Sequence, residues 1–178
     1  MSTANNQVPA GLWEALQSSS SRQRPVSKLL KSFENGISDV TNKDEGPSNR
    51  YDILCPRSGC GSIILKNKVA KLVDREDSPQ KFLRDGQIDP SNLPLHPVLT
   101  EITANSESSS KWWLITPSPM QFENIGFSKT TEAMLGPSGK KLKLLACAEC
   151  DLGPLGWSEE GETEFWLAST RVGYRADQ

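Results

Sequence analysis

Apolar residues along this chain come in short runs separated by polar, glycine- and proline-rich stretches. Tyr51 to Leu54, Ser62 to Leu65, Lys111 to Ile115 and Thr163 to Val172 each carry a few apolar or aromatic residues between turn-forming ones. Runs of that length with such boundaries predict strands. Val69 to Val73 continues the second run after a break at Asn67-Lys68, and Met120 to Lys129 is anchored by Phe122, Ile125 and Phe127. Lys141, Leu142, Lys143 and Leu144 alternate, and the run then becomes wholly apolar up to Cys147, as a strand entering a core does. Trp112 and Trp113 are neighbours in a strand, so their rings point to opposite faces. Thr116 to Pro119, Glu132 to Lys140 and Glu159 to Glu162 read as turns or connectors. Asp74 to Pro97 and Asn105 to Ser110 read as long loops, and Gly173 onward as a tail. The pattern predicts a mainly β fold of short antiparallel strands with long loops.

Residues 1–49 form a polar N-terminal extension, and the folded domain is placed at 50–178. The serine run at Ser18 to Ser21 and the polar stretch Asn42 to Ser48 bury too little surface to offset chain entropy. Two segments have helical spacing: Leu12, Trp13 and Leu16, then Val26, Leu29, Leu30 and Phe33 behind Pro25. They are expected to be short helices that fray or pack back on the domain, with docking segments for a partner as the alternative.

The four cysteines fall in two close pairs. Leu144 to Trp157 reads LLACAECDLGPLGW and carries Cys147 and Cys150 at the end of a strand. Cys55 and Cys60 end an earlier apolar run, with Gly59 and Gly61 on either side of Cys60. Both spacings suit one tetrahedral four-cysteine zinc site that ties an early hairpin to a late one. Disulfides, free buried thiols and a redox Cys-x-x-Cys are the alternatives. Disulfides need an oxidising compartment, and Gly153-Pro154 interrupts the helix that a redox motif requires.

Charge changes the picture by exclusion. With 20 Lys and Arg against 22 Asp and Glu, the 178-residue chain has a net charge of -2 and no global basic field for nucleic acid. No apolar run reaches the ~20 residues of a membrane span, and the polar N-terminus lacks the pattern of a signal peptide. A cytoplasmic protein is expected. There is no phosphate-binding glycine loop, HExxH or Gly-x-Ser-x-Gly. The single histidine, His96, stands between Leu95 and Pro97 in a proline-rich stretch, without a nucleophile beside it. Four cysteine ligands would leave a metal no open position, so the chain is not expected to be an enzyme.

Three strings together carry a family resemblance: Phe122 to Lys129 (FENIGFSK), Leu145 to Trp157 (LACAECDLGPLGW), and Phe165 to Ala168 with Arg171 and Val172. Over about Tyr51 to Tyr174 the chain resembles the RABIF family, the Mss-four type of Rab exchange factor and chaperone. The resemblance implies a β-tent stapled by structural zinc on Cys55, Cys60, Cys147 and Cys150. It implies a monomer that binds a nucleotide-free exocytic Rab GTPase, promotes GDP release and holds the empty protein during vesicle transport. Its partner surface, carried onto this chain, comprises Gln121, Phe122, Glu123, Asn124 and Glu149. Two other readings compete: a zinc-ribbon module for nucleic acid, and a β-tent that binds a small ligand in a cage drawn from Trp112, Trp113, Trp157 or Trp166. An oxidoreductase version of that fold would need a reactive cysteine beyond the four ligands.

Overall fold

Among the residues described by the computed structural model (24–43, 46–75, 96–103, 110–130 and 134–175), the apolar runs pair into two antiparallel sheets. The first has the order β1 (Lys28–Leu29), β10 (Gly173–Tyr174), β2 (Ile53–Leu54), β3 (Ile63–Leu65). The second has the order β4 (Lys71–Asp74), β5 (Lys111–Ile115), β9 (Phe165–Ala168), β8 (Gly156–Glu159), β7 (Leu142–Cys147), β6 (Ile125–Phe127). Two isolated bridges add to the sheets, each joining a strand residue to one outside the strands. Phe122 pairs with Leu65 beside the Glu123 N–H bond to the Ile64 carbonyl, and Ser48 pairs with Lys71. The mainly β fold of short antiparallel strands is the architecture the hydrophobic pattern predicts.

The main core takes residues from both sheets, including Ile53, Ile64, Leu65, Trp113, Ile115 and Leu167. Trp112 points the other way. It joins Leu142, Trp157, Trp166 and Ala168 in a smaller cluster on the second face of the larger sheet. The two adjacent tryptophans therefore serve two layers, as strand alternation requires.

Four segments depart from the pattern. Val26 to Phe33 is not a helix: Lys28 and Leu29 pair with Tyr174 and Gly173, and a 3-10 turn follows at Leu30–Ser32. Val26 is 79% exposed, so the helical stripe has no single face to bury, and pairing with β10 satisfies the backbone instead. Gly173 and Tyr174 are not a tail but an inner strand between β1 and β2. Gly156 to Glu159, which the pattern does not mark as a strand, is β8, paired on both sides. Val69 to Val73 does not extend β3. The chain turns at Lys68, which has φ 63°, and β4 joins the other sheet.

Residues grouped with the extension also enter the fold. Val40 is fully buried in the main core. Asn49 is equally buried: its amide donates to the carbonyls of Tyr51 and Lys66 at 2.9 and 2.8 Å and its oxygen accepts from the Ala70 N–H at 2.7 Å. A short helix, α1 (Pro97–Thr103), was not anticipated; it starts on a proline and buries Leu99, the usual place for proline in a helix. The helix expected at 10–17, most of the loop at 74–97 and all but the last residue of that at 105–110 lie outside the described residues.

Candidate metal centre and partner face

Two knuckle turns bring the cysteines together. β2 delivers Cys55, whose N–H donates to the Ser62 carbonyl, and the turn closes with Cys60 N–H on the Arg57 carbonyl. β7 delivers Cys147, whose carbonyl accepts from the Asp151 N–H at 2.9 Å and whose N–H donates to the Leu152 carbonyl at 3.0 Å. Asp151 takes φ 56° to complete that second turn.

All four sulfur atoms lie within 4.8 Å of one another. Cys55 and Cys150 sulfurs are 3.6 Å apart, and those of Cys60 and Cys147 are 3.8 Å apart. Thiolates at about 2.3 Å from a tetrahedral zinc sit roughly 3.8 Å from each other, so the donor set fits such an ion. No two sulfurs are bonded; all four cysteines are free thiols. Burial pushes the Cys55 and Cys147 thiols above the ordinary range. At Cys150 burial acts the same way, but the Leu152 N–H and the other three thiols outweigh it and draw the thiol down. A metal would supply the charge that keeps all four ionised.

Two arginines reach the site from outside. Arg57 Nη1 donates to the Cys150 carbonyl at 3.2 Å, and its other terminal nitrogen lies 3.3 Å from His96 Nε2. His96 is thus tied to a knuckle arginine at the start of α1 and does not belong to the sulfur cluster. Arg24 Nη1 donates to the Cys60 carbonyl at 3.0 Å and Nη2 to Glu149 at 2.6 Å. Neither arginine was singled out in the sequence. Arg57 sits between the first cysteines and was within reach of such a reading; Arg24 was not.

The residues placed on the partner surface gather beside the second knuckle. Ile125 pairs with Cys147 in the β6–β7 ladder, and the Ala148 N–H donates to the Asn124 carbonyl at 3.3 Å. This sets the start of the FENIGFSK string against the Cys-x-x-Cys turn. Gln121, Glu123 and Glu149 are exposed there. Phe122 is half-buried and packs edge-on against Phe127 and Phe165. Asn124 is half-buried and its amide holds the Ile63 carbonyl at 2.8 Å. Two exposed apolar side chains adjoin this set and were not assigned to it: Met120 next to Gln121, and Phe127.

The rings considered for a cage are packed inside the protein. Trp113 is fully buried. Trp157 and Trp166 stack at 5.9 Å, Trp112 meets Trp157 edge-on, and the Arg75 guanidinium lies over both stacked rings at 5.0 and 4.3 Å.

Comparison with known proteins adds a family. The family described as Mss4 protein matches residues 48–174. A Drosophila melanogaster protein named guanine nucleotide exchange factor MSS4 homolog is 37% identical over 73 residues, 41% of this chain and 52% of its own. A Schizosaccharomyces pombe protein of the same name is 24% identical over 115 residues, 65% of this chain and 88% of its own. The chain therefore spans about half the length of the Drosophila relative and most of the fission-yeast one.

Proposed function

The chain belongs to the Mss4 family, and from that premise we propose that it binds an exocytic Rab GTPase in its nucleotide-free form, promotes GDP release and holds the empty protein. Both relatives named above are called exchange factor homologs. The observation that carries the reading is the convergence of Gln121, Phe122, Glu123 and Asn124 with Glu149 at one corner, through the Asn124–Ala148 hydrogen bond. Among these residues Gln121, Glu123 and Glu149 are the exposed contacts; Asn124 also holds the corner's shape through Ile63.

The mechanism is linkage. A surface that binds the empty GTPase more tightly than the loaded one weakens nucleotide binding by the same factor. It requires no catalytic group of its own. Glu123 and Glu149 carry negative charge, and the phosphate-binding groove of an emptied GTPase exposes basic side chains that lost their counter-charge. Cys55, Cys60, Cys147 and Cys150 would hold a structural zinc, which would supply a cross-link between the two knuckle turns. Glu149 stands between Cys147 and Cys150, so its carboxylate would be held with that turn. The folded unit doing this begins with β1 at Lys28 and includes β10 at Gly173–Tyr174, acting as a cytoplasmic monomer in vesicle transport.

The test is release of a fluorescent GDP analogue from purified exocytic Rab proteins as the chain is added. Release that scales with stoichiometric chain and leaves a stable nucleotide-free complex is expected. Acceleration by trace amounts makes the chain a turnover catalyst instead, and no acceleration with any exocytic Rab refutes the proposal.

A further inference from the structure

The segment from Arg24 to Leu29 precedes the family match at 48–174, yet it is built onto the metal-site face. One guanidinium spans the two knuckles: Arg24 takes the Cys60 carbonyl of the first and the Glu149 carboxylate of the second. A planar guanidinium is suited to serving two acceptors at once. The path of the segment is fitted to its seat at two glycines. A Cβ on Gly61 would collide with the Pro25 carbonyl, and one on Gly173 with the Ser27 hydroxyl. Beyond them Lys28 and Leu29 are held by β10.

Glu149 is also the carboxylate that the reading above offers to the GTPase, and the following rests on that reading. We propose that Arg24 is a resident stand-in for a basic side chain of the partner. The seat formed by Glu149 and the Cys60 carbonyl takes this chain's own guanidinium when the protein is free. It takes an arginine or lysine of the empty GTPase in the complex, so Arg24 must leave before the partner docks fully. The contact has the right strength for a guard that yields. Arg24 and Glu149 side chains are 51% and 44% exposed, and an exposed pair shifts an equilibrium by no more than about two- to fivefold. That is small against the affinity of a specific interface and large enough to measure.

The experiment compares full-length wild type with Arg24→Ala, Arg24→Gln, Glu149→Ala and Arg24→Ala/Glu149→Ala for binding to a nucleotide-stripped exocytic Rab, at low and high salt. Circular dichroism confirms the fold of each. Both Arg24 variants are expected to bind about two- to fivefold more tightly than wild type at low salt. The gain should vanish on the Glu149→Ala background and shrink as salt screens the pair. Wild-type binding with no gain in either Arg24 variant, or with a loss, overturns the guard and leaves the exchange reading standing. Failure of wild type and every variant to bind refutes the exchange reading and the guard with it.

Discussion

Trp113 in β5 donates its indole N–H to the hydroxyl of Tyr174 in β10 at 2.9 Å, joining the two sheets through their shared core. The hydroxyl in turn donates to the Ser169 carbonyl at 2.8 Å. Both rings are fully buried, and burial holds the Tyr174 phenol well above its ordinary pKa. Tyr174→Phe keeps the ring and strands a donor and an acceptor. It is expected to cost about 2–4 kcal/mol. Urea unfolding should show a lower midpoint at an unchanged slope; an unchanged midpoint would remove this link from the account.

Removing the metal should matter more. Structural zinc contributes on the order of 10 kcal/mol in small peptides, comparable with the whole stability of a domain. One zinc per chain is expected by elemental analysis, and Cys147→Ser or a strong chelator is expected to unfold the domain. Native circular dichroism and an unchanged melting temperature in Cys147→Ser would contradict this.

Acid should loosen the β4–β5 ladder at a defined point. Asp74 faces Lys111 across the strands, and hydrogen bonds from Lys111 and Ser110 hold its carboxyl below the ordinary range. A carboxyl whose folded pKa is depressed contributes stability above its unfolded value and loses it as pH falls through the folded one. The melting-temperature gap between wild type and Asp74→Asn should be full near neutral pH and close as pH falls below the ordinary carboxylate range. A gap that ignores pH assigns the effect to packing.

The hydrophobic pattern reached as far as local signals extend. Both cysteine pairs were legible, because metal spacing is written in a few consecutive residues. So were the runs that became β2, β5, β7 and β9, which carry enough apolar residues to declare themselves. Gly173 and Tyr174 did not: two residues have no period, and their strand character comes from β1 and β2 on either side. Gly156 to Glu159 carries one large apolar residue between Gly-Pro-Leu and an acidic turn and so shows no strand pattern, although Trp157 pairs across to both Leu144 and Trp166. By sequence Asn49 groups with the N-terminal extension. Its burial is decided by three backbone partners from Tyr51, Lys66 and Ala70, which meet only in the folded chain. The seat of Arg24 is of the same kind, since Cys60 and Glu149 become neighbours only once both knuckles have closed.

The two halves of the sulfur cluster have a further consequence, for the chain while it is being made. Cys55 and Cys150 stand 95 positions apart. At ribosomal speeds of about 5–20 residues per second, roughly 5–20 s separate their appearance. Throughout that interval the nascent chain presents two thiols of a site that needs four. The early hairpin can hold metal only loosely, and its apolar strands wait without the larger sheet. Closure of the sulfur cluster therefore waits for completion of the second knuckle, and a chain stalled before it carries the first pair of thiols without their partners.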